Sequence, residues 1–125
     1  MSELDLDKAF LQAIPYAMPN VMAFQRPIVN TEAKGGWWIR AGVPGQADIY
    51  VVVKGGRHIE VETKMASRKL RPAQEAWRIR CEHMGITYLV LRARTGETAN
   101  MTVARWVDEL RSVVDADHLD RPIPE

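Results

Sequence analysis

The sequence predicts an α/β domain, a β-sheet flanked by helices in the order α-β-β-β-β-α-β-α. Three observations predict it. Amphipathic runs of helical period lie near both ends and after the middle of the chain. Short β-branched runs sit between them, and the run ITYLVLRA is apolar without interruption. Glycine and proline punctuate the joins.

In chain order, Ser2 with Asp5 three positions on has the form of a capping box, and Leu6, Ala9, Phe10 and Ala13 recur at helical spacing. Pro15 should end this helix near Ile14. VMAFQRPIV reads as a strand, with Pro27 arguing for an edge position or a bulge. KGG marks a turn, and WWIRAG returns as a short strand. Two β-rich runs, DIYVVV and RHIEVETK, are then joined around Gly55 and Gly56. LRPAQEAWRIRCEHMG is a helix with Pro72 at its first position and Gly85 just past its end; Ala73, Ala76, Trp77, Cys81 and Met84 form its expected buried stripe. ITYLVLRA is the kind of strand expected inside a sheet covered on both faces. After the turn TGETAN, MTVARWVDELRSVV is a second amphipathic helix. Residues 1–115 are thus expected to form one domain, and 116–125 a loose acidic tail.

With 125 residues, 46% of them hydrophobic, and four tryptophans, the chain should bury a modest core. No apolar run approaches the roughly 20 residues of a membrane span. The acidic MSELDLDKAF lacks the basic-then-apolar order of a signal peptide, so a cytoplasmic location is expected. Cys81 is the lone cysteine, which excludes an intrachain disulfide or a cysteine-rich zinc site, and His83 and His118 have no ligand-spaced partners. Charge is uneven. Lys54 to Arg80 holds eight basic residues against three acids, a net +5, whereas Asp108 to Glu125 carries −4. Such a division suits a polyanion on one face, or equally a solvated charged surface.

The stretch GQADIYVVVKGGRHIEVETK concentrates the chemistry. Alternation places Ile49, Val51, Val53, Ile59 and Val61 on one face, and Asp48, Tyr50, Val52, His58, Glu60, Glu62 and Lys64 on the other. A three-residue loop, Lys54-Gly55-Gly56, would pair Val53 with Arg57 and so Asp48 with Glu62; a two-residue loop would pair Asp48 with Thr63. In the first register two carboxylates adjoin, and at about 4 Å and an effective dielectric of 20 they repel by about 4 kcal/mol. A bound cation or a retained proton relieves that repulsion, and hard carboxylate oxygens suit Mg2+ or Mn2+. Lys64 on the same face can hold or activate a water beside the metal, or make an ordinary salt bridge with one acid.

GVPGQADIYVV, GGRHIEVETK and RKLRPAQEAW together resemble the VRR-NUC branch of the PD-(D/E)XK nuclease superfamily, in particular the stand-alone domains of phages and prophages, over residues 35–95. The resemblance implies a restriction-endonuclease-like mixed sheet and a metal-dependent DNA endonuclease. Asp48 and Glu62 become metal ligands with the Thr63 backbone carbonyl, Lys64 orients or activates the attacking water, and Gln74 supports the site. It further implies homodimers that cut branched DNA such as Holliday junctions. Many relatives carry one more acid on the first helix, and Glu3 and Asp7 both compete for that place. Gly45 lets the backbone pass close to metal or DNA, or simply makes a turn.

Arg26, Arg40, Arg68, Lys69, Arg71 and Arg78 are the candidate DNA contacts, with Arg68, Lys69 and Arg71 the strongest cluster. Glu60 is expected to be exposed, His58 hydrogen-bonded on its strand, and Cys81 inert. Trp37 and Trp38 offer stacking surfaces, with one of them inward. Trp106 or the Trp37-Trp38 pair are the candidate dimer surfaces. The competing readings are a nucleic-acid-binding module without catalysis, in which the hairpin acids are structural, a nuclease or nickase acting on other DNA structures, and a dimeric scaffold or regulatory protein that uses the tryptophans as an interface.

Overall fold

The computed structural model of the protein describes residues 2–26, 30–33, 37–40 and 45–120, with the backbone alone at 30–33, 37–40 and 117–120. The elements run α1 (Glu3–Ala17), β1 (Val21–Gln25), β2 (Asn30–Ala33), β3 (Trp37–Arg40), β4 (Ile49–Val53), β5 (Arg57–Met65), α2 (Pro72–His83), β6 (Thr87–Ala93) and α3 (Ala99–Asp120). The architecture is α/β, as expected, but among the described residues five strands rather than four precede α2. The expected strand over residues 21–29 stops at Gln25, and β2 opens separately at Asn30 to form a two-stranded antiparallel sheet with β3. Pro27 and the KGG turn lie outside the described residues.

The main sheet has the order β1-β4-β5-β6. β1, β4 and β5 are antiparallel neighbours, and β6 joins β5 in parallel. A parallel pair needs a crossover, and α2 supplies it. One face of the sheet carries the core: Ile49, Val51, Ile59, Val61 and Leu91 pack against Leu6, Phe10 and Ile14 of α1 and Trp106 and Leu110 of α3. The other face receives α2.

Local chemistry explains most boundaries. Ser2 caps α1 by accepting from the Asp5 amide at 3.1 Å. Helix α1 runs on to Ala17 with Pro15 in its last turn, because a missing donor costs little where the helix is ending anyway. The β4–β5 turn closes with the Gly56 amide donating to Val53, and Gly55 and Gly56 take the left-handed φ values of 100° and 93° that this loop demands. The Thr98 hydroxyl caps α3 by accepting from Met101 at 3.2 Å, and the helix continues to Asp120, into the segment expected as a tail.

Three further expectations are corrected. Among the described residues β6 is an edge strand of its sheet, not an interior one. Its unbroken apolar run reflects helices on both faces, which says nothing of its free edge. On α2 the buried residues are Gln74 and Cys81; Ala73, Ala76 and Met84 are exposed, so the helix lies on the sheet through a polar stripe. Trp106 is fully buried, edge-on to Phe10 at 5.7 Å with Nε1 donating to the Arg92 carbonyl, and is therefore core rather than a dimer surface. The side chains of Trp37, Trp38 and Arg40, and residues 121–125, lie outside the described residues.

Candidate active site

The site forms where β4 begins, β5 ends and α1 starts. Val53 pairs with Arg57 and Ile49 with Val61, which is the three-residue-loop register and sets Asp48 opposite Glu62. Helix α1 brings the first-helix acids to the same place. Oxygens of Glu3, Asp7 and Asp48 all lie within 4.8 Å of one another, so the two acids competing for one role both reach the cluster. They sit four apart on one helix face, which makes this possible. Glu62 is not a fourth corner of that triangle, but it adjoins it closely enough that Asp48 and Glu3 both oppose its ionisation.

Each acid is held in place differently. Asp7 is 3% exposed and accepts from Thr63 Oγ1 at 2.6 Å. Thr63 lies between Glu62 and Lys64, so alternation turns its side chain to the α1 face while theirs point toward α2. Glu62 is 2% exposed; its Oε1 accepts from Gln74 Nε2 at 2.9 Å, and its Oε2 is buried without a hydrogen-bond partner. The Gln74 amide cannot be reversed, because its Oε1 accepts from the Arg71 backbone amide at 2.9 Å. One helix-capping contact therefore aims a donor at Glu62. Lys64 is 7% exposed and, among the described residues, makes no direct ion pair, although its charge favours ionisation of both Asp48 and Glu62. The ordinary salt bridge open to it in the sequence is not formed.

The electrostatics follow from this crowding. Burial, then repulsion by Asp48, pushes the Glu62 carboxyl up to about 8 from its ordinary 4.5. Burial raises Asp7 to about 6 against the Thr63 hydrogen bond, with Glu3 and Asp48 adding to the rise. Burial also raises Asp48, opposed by Arg71, Lys64 and Arg26. Burial thus pushes all three carboxyls up, and a bound cation would oppose the rise.

Gly45 has φ +79°, and a Cβ there would stand 2.0 Å from the Ala73 carbonyl oxygen. It is both a turn glycine and a close-approach glycine, but what it approaches is the start of α2.

The cations divide sharply. Arg68, Lys69 and Arg71 are exposed beyond the end of β5. Arg78 is held by Glu82 at 2.7 Å and by Glu75 of its own helix. Arg26 is not a free DNA contact: it donates to both oxygens of Glu60 (2.9 and 3.1 Å) and to the Ala47 carbonyl, and stands 4.7 Å over the Tyr50 ring. Glu60 is correspondingly buried, at 0% exposure, rather than exposed. Trp77 Nε1 donates to its Oε1 at 2.9 Å, and His58 Nε2 lies 2.8 Å from its Oε2. This knot went unread in the sequence because its partners are 34 and 17 residues distant. Parity alone located Glu60 on the polar face. Cys81 is buried beside it, its thiol pushed up by burial and the Glu60 charge, which suits an inert role.

No family model matches the chain, and comparison with curated proteins finds no match. Among the described residues no helix is long and apolar enough to cross a membrane.

Proposed function

We propose that this protein is a Mg2+- or Mn2+-dependent endonuclease that hydrolyses DNA phosphodiester bonds. The observation that carries the reading is the convergence of Glu3, Asp7 and Asp48 within 4.8 Å beside the partnerless buried Oε2 of Glu62. Acids so placed fit a hard divalent cation, since all donors are carboxylate oxygens and one buried lone pair is left unused. Asp48, Glu62 and Glu3 or Asp7 would hold the ion, with the Thr63 backbone carbonyl beside them. A metal there supplies the charge that polarises a phosphate oxygen and lowers the pKa of a water.

The chain's own residues supply the rest. Gln74 keeps Glu62 facing the site by hydrogen bonding to one oxygen, so the other is presented inward. Thr63 does the same for Asp7 from the opposite face. Lys64, desolvated and unpaired, can donate to a water or to a developing oxyanion at the strand end. Arg68, Lys69 and Arg71 stand exposed after the end of β5, with the Arg71 charge reaching Asp48, and supply the positive charge a phosphate backbone needs. Branched DNA as substrate and action as a homodimer rest on the resemblance of residues 35–95, and belong to the proposal on that footing.

Labelled four-way junction, matched duplex and single strand, each incubated with Mg2+ and with EDTA, test it. Metal-dependent cutting that falls at least about 100-fold in Lys64→Ala is expected, the scale of losing one transition-state donor. Cutting by Lys64→Ala at the wild-type rate, or binding without any cutting in Mg2+ or Mn2+, overturns the reading in favour of a non-catalytic module.

A further inference from the structure

Among the described residues, α2 covers this face of the sheet over β5 and β6, through Gln74 on Glu62 and Trp77 on Glu60, while Tyr50 and Val52 of β4 are half-buried and Met22 and Phe24 of β1 stand exposed. Met22 is 58% and Phe24 42% exposed there, both large apolar side chains in the middle of a strand. Phe24 pairs with Tyr50 across the ladder, and the rings stack at 5.1 Å with 23° between their planes. Tyr50 is fixed from two other sides, by the Arg26 guanidinium at 4.7 Å and by His58 edge-on at 5.9 Å. The buried Glu60 holds Arg26 and His58 in turn. A buried ion-pair knot therefore immobilises an aromatic pair whose outer ring faces solvent.

We infer that this platform, Phe24 stacked on Tyr50, binds an unpaired nucleobase of a DNA strand whose phosphates run between Arg71 and Lys54. Charge complementarity favours that occupant. Exposed cations lie beyond both ends of the hairpin, Arg68, Lys69 and Arg71 after β5, with the Arg71 charge acting on Asp48, and Lys54 at the β4–β5 turn. A rigid aromatic face bordered by cations is what a single strand uses, because every base has a π-face and every link a phosphate. Two rings and a methionine fall well short of the roughly 800 Å² per partner of a stable protein interface. Tyr50 follows Asp48 by two strand positions, about 7 Å along the chain, so a base held here adjoins a phosphate at the acids. As a selector of unpaired DNA for cleavage the platform rests on the function proposed above; as a binding surface it does not.

The test separates the two. A single-stranded oligonucleotide carrying 2-aminopurine is titrated with the full chain in EDTA, following both anisotropy and 2-aminopurine fluorescence. Wild type is expected to bind and to alter the 2-aminopurine emission by stacking. Phe24→Ala is expected to lose that emission change and to bind about 5- to 100-fold more weakly, the range for one stacked base. Phe24→Leu, which keeps apolar bulk without a ring, should behave like Phe24→Ala, and Phe24→Trp should restore stacking; thermal unfolding of each reports that the fold is intact. Emission that does not respond to wild type, or responds equally with folded Phe24→Leu, overturns the platform. Cutting of duplex and junction with no single-strand affinity also overturns it while leaving the nuclease standing. Ring-dependent binding without cutting in Mg2+ supports the platform and removes the nuclease.

Discussion

A carboxyl that is buried beside other carboxyls carries its own titration test. Glu62 is pushed to about 8 by burial and by Asp48, so between its ordinary 4.5 and that value the folded chain retains a proton that the unfolded chain releases. The unfolded state binds fewer protons in that window, and stability must fall as pH rises through it. Each pK unit is worth about 1.4 kcal/mol. The metal-free protein in EDTA should therefore melt several degrees lower at about pH 8.5 than at about pH 5.5. Asp7, raised to about 6, contributes in the lower part of the same range. Glu62→Gln keeps the contact to Gln74 and cannot ionise. It should melt above wild type at the higher pH, with most of the slope gone, while Mg2+ raises the melting temperature of wild type and not of the variant. Differential scanning calorimetry at the two pH values checks this. A slope unchanged in Glu62→Gln means that Glu62 is not the strained group. At this scale the sequence was most informative about identity. Asp48, Glu62 and Lys64 were legible as one group because parity and register place them on one face of the hairpin, whereas Gln74 entered only through the resemblance of RKLRPAQEAW. The Thr63 hydroxyl was not, because it acts on the other face, on an acid 56 residues away.

Elements position these residues, and the joint that matters most is the contact between the turn before β4 and the first turn of α2. Gly45 makes it possible. Its φ of +79° is already costly for an L residue, and an added Cβ would meet backbone, the Ala73 oxygen at 2.0 Å and the Gln74 nitrogen at 2.7 Å. Neither atom can swing aside as a side chain would. Gly45→Ala should therefore push the start of α2 outward and carry Gln74 away from Glu62. The expected result is a loss of about 2–4 kcal/mol in urea unfolding and a cleavage loss approaching that of Gln74→Ala. If Gly45→Ala unfolds like wild type, α2 is not seated on the turn. Boundaries of this kind were partly legible: the Pro72 start and the Gly85 stop of α2 hold. Its buried face did not hold. Ala73, Ala76 and Met84 repeat at helical spacing, but the sheet beneath offers Glu60 and Glu62, so the helix turns Gln74 and the Trp77 nitrogen toward it instead. Apolar periodicity cannot report a helix whose docking surface is polar.

For the whole molecule the question is how much of the +5 between Lys54 and Arg80 is free to meet a phosphate backbone. Arg57 donates to the carbonyls of Val113 and Val114, Arg78 is closed by Glu75 and Glu82, and Lys64 is buried at the acids. What faces solvent is Lys54 at one end of the hairpin and Arg68, Lys69 and Arg71 at the other, with Arg80 apart on α2. Net charge over a segment therefore overstates the electrostatic footprint, because burial and pairing, not composition, decide which ions release counterions. The salt dependence of DNA binding measures the difference. Arg68→Ala, Lys69→Ala and Arg71→Ala should each reduce the slope of log K against log salt by about 0.7 to 0.9, the value of one phosphate contact, in a fluorescence titration without divalent metal. Arg78→Ala should leave the slope unchanged. Arg71→Ala should do more than lower the slope, because Arg71 is the strongest charge opposing the rise of the Asp48 pKa. Its loss should push the Asp48 carboxyl further up, read as an upward shift of the acid limb of the cleavage pH profile that neither Arg68→Ala nor Lys69→Ala produces. A slope that falls as far in Arg78→Ala as in Arg71→Ala would mean that the Glu75 and Glu82 pairs open in solution, and that the footprint runs along α2 rather than across the hairpin.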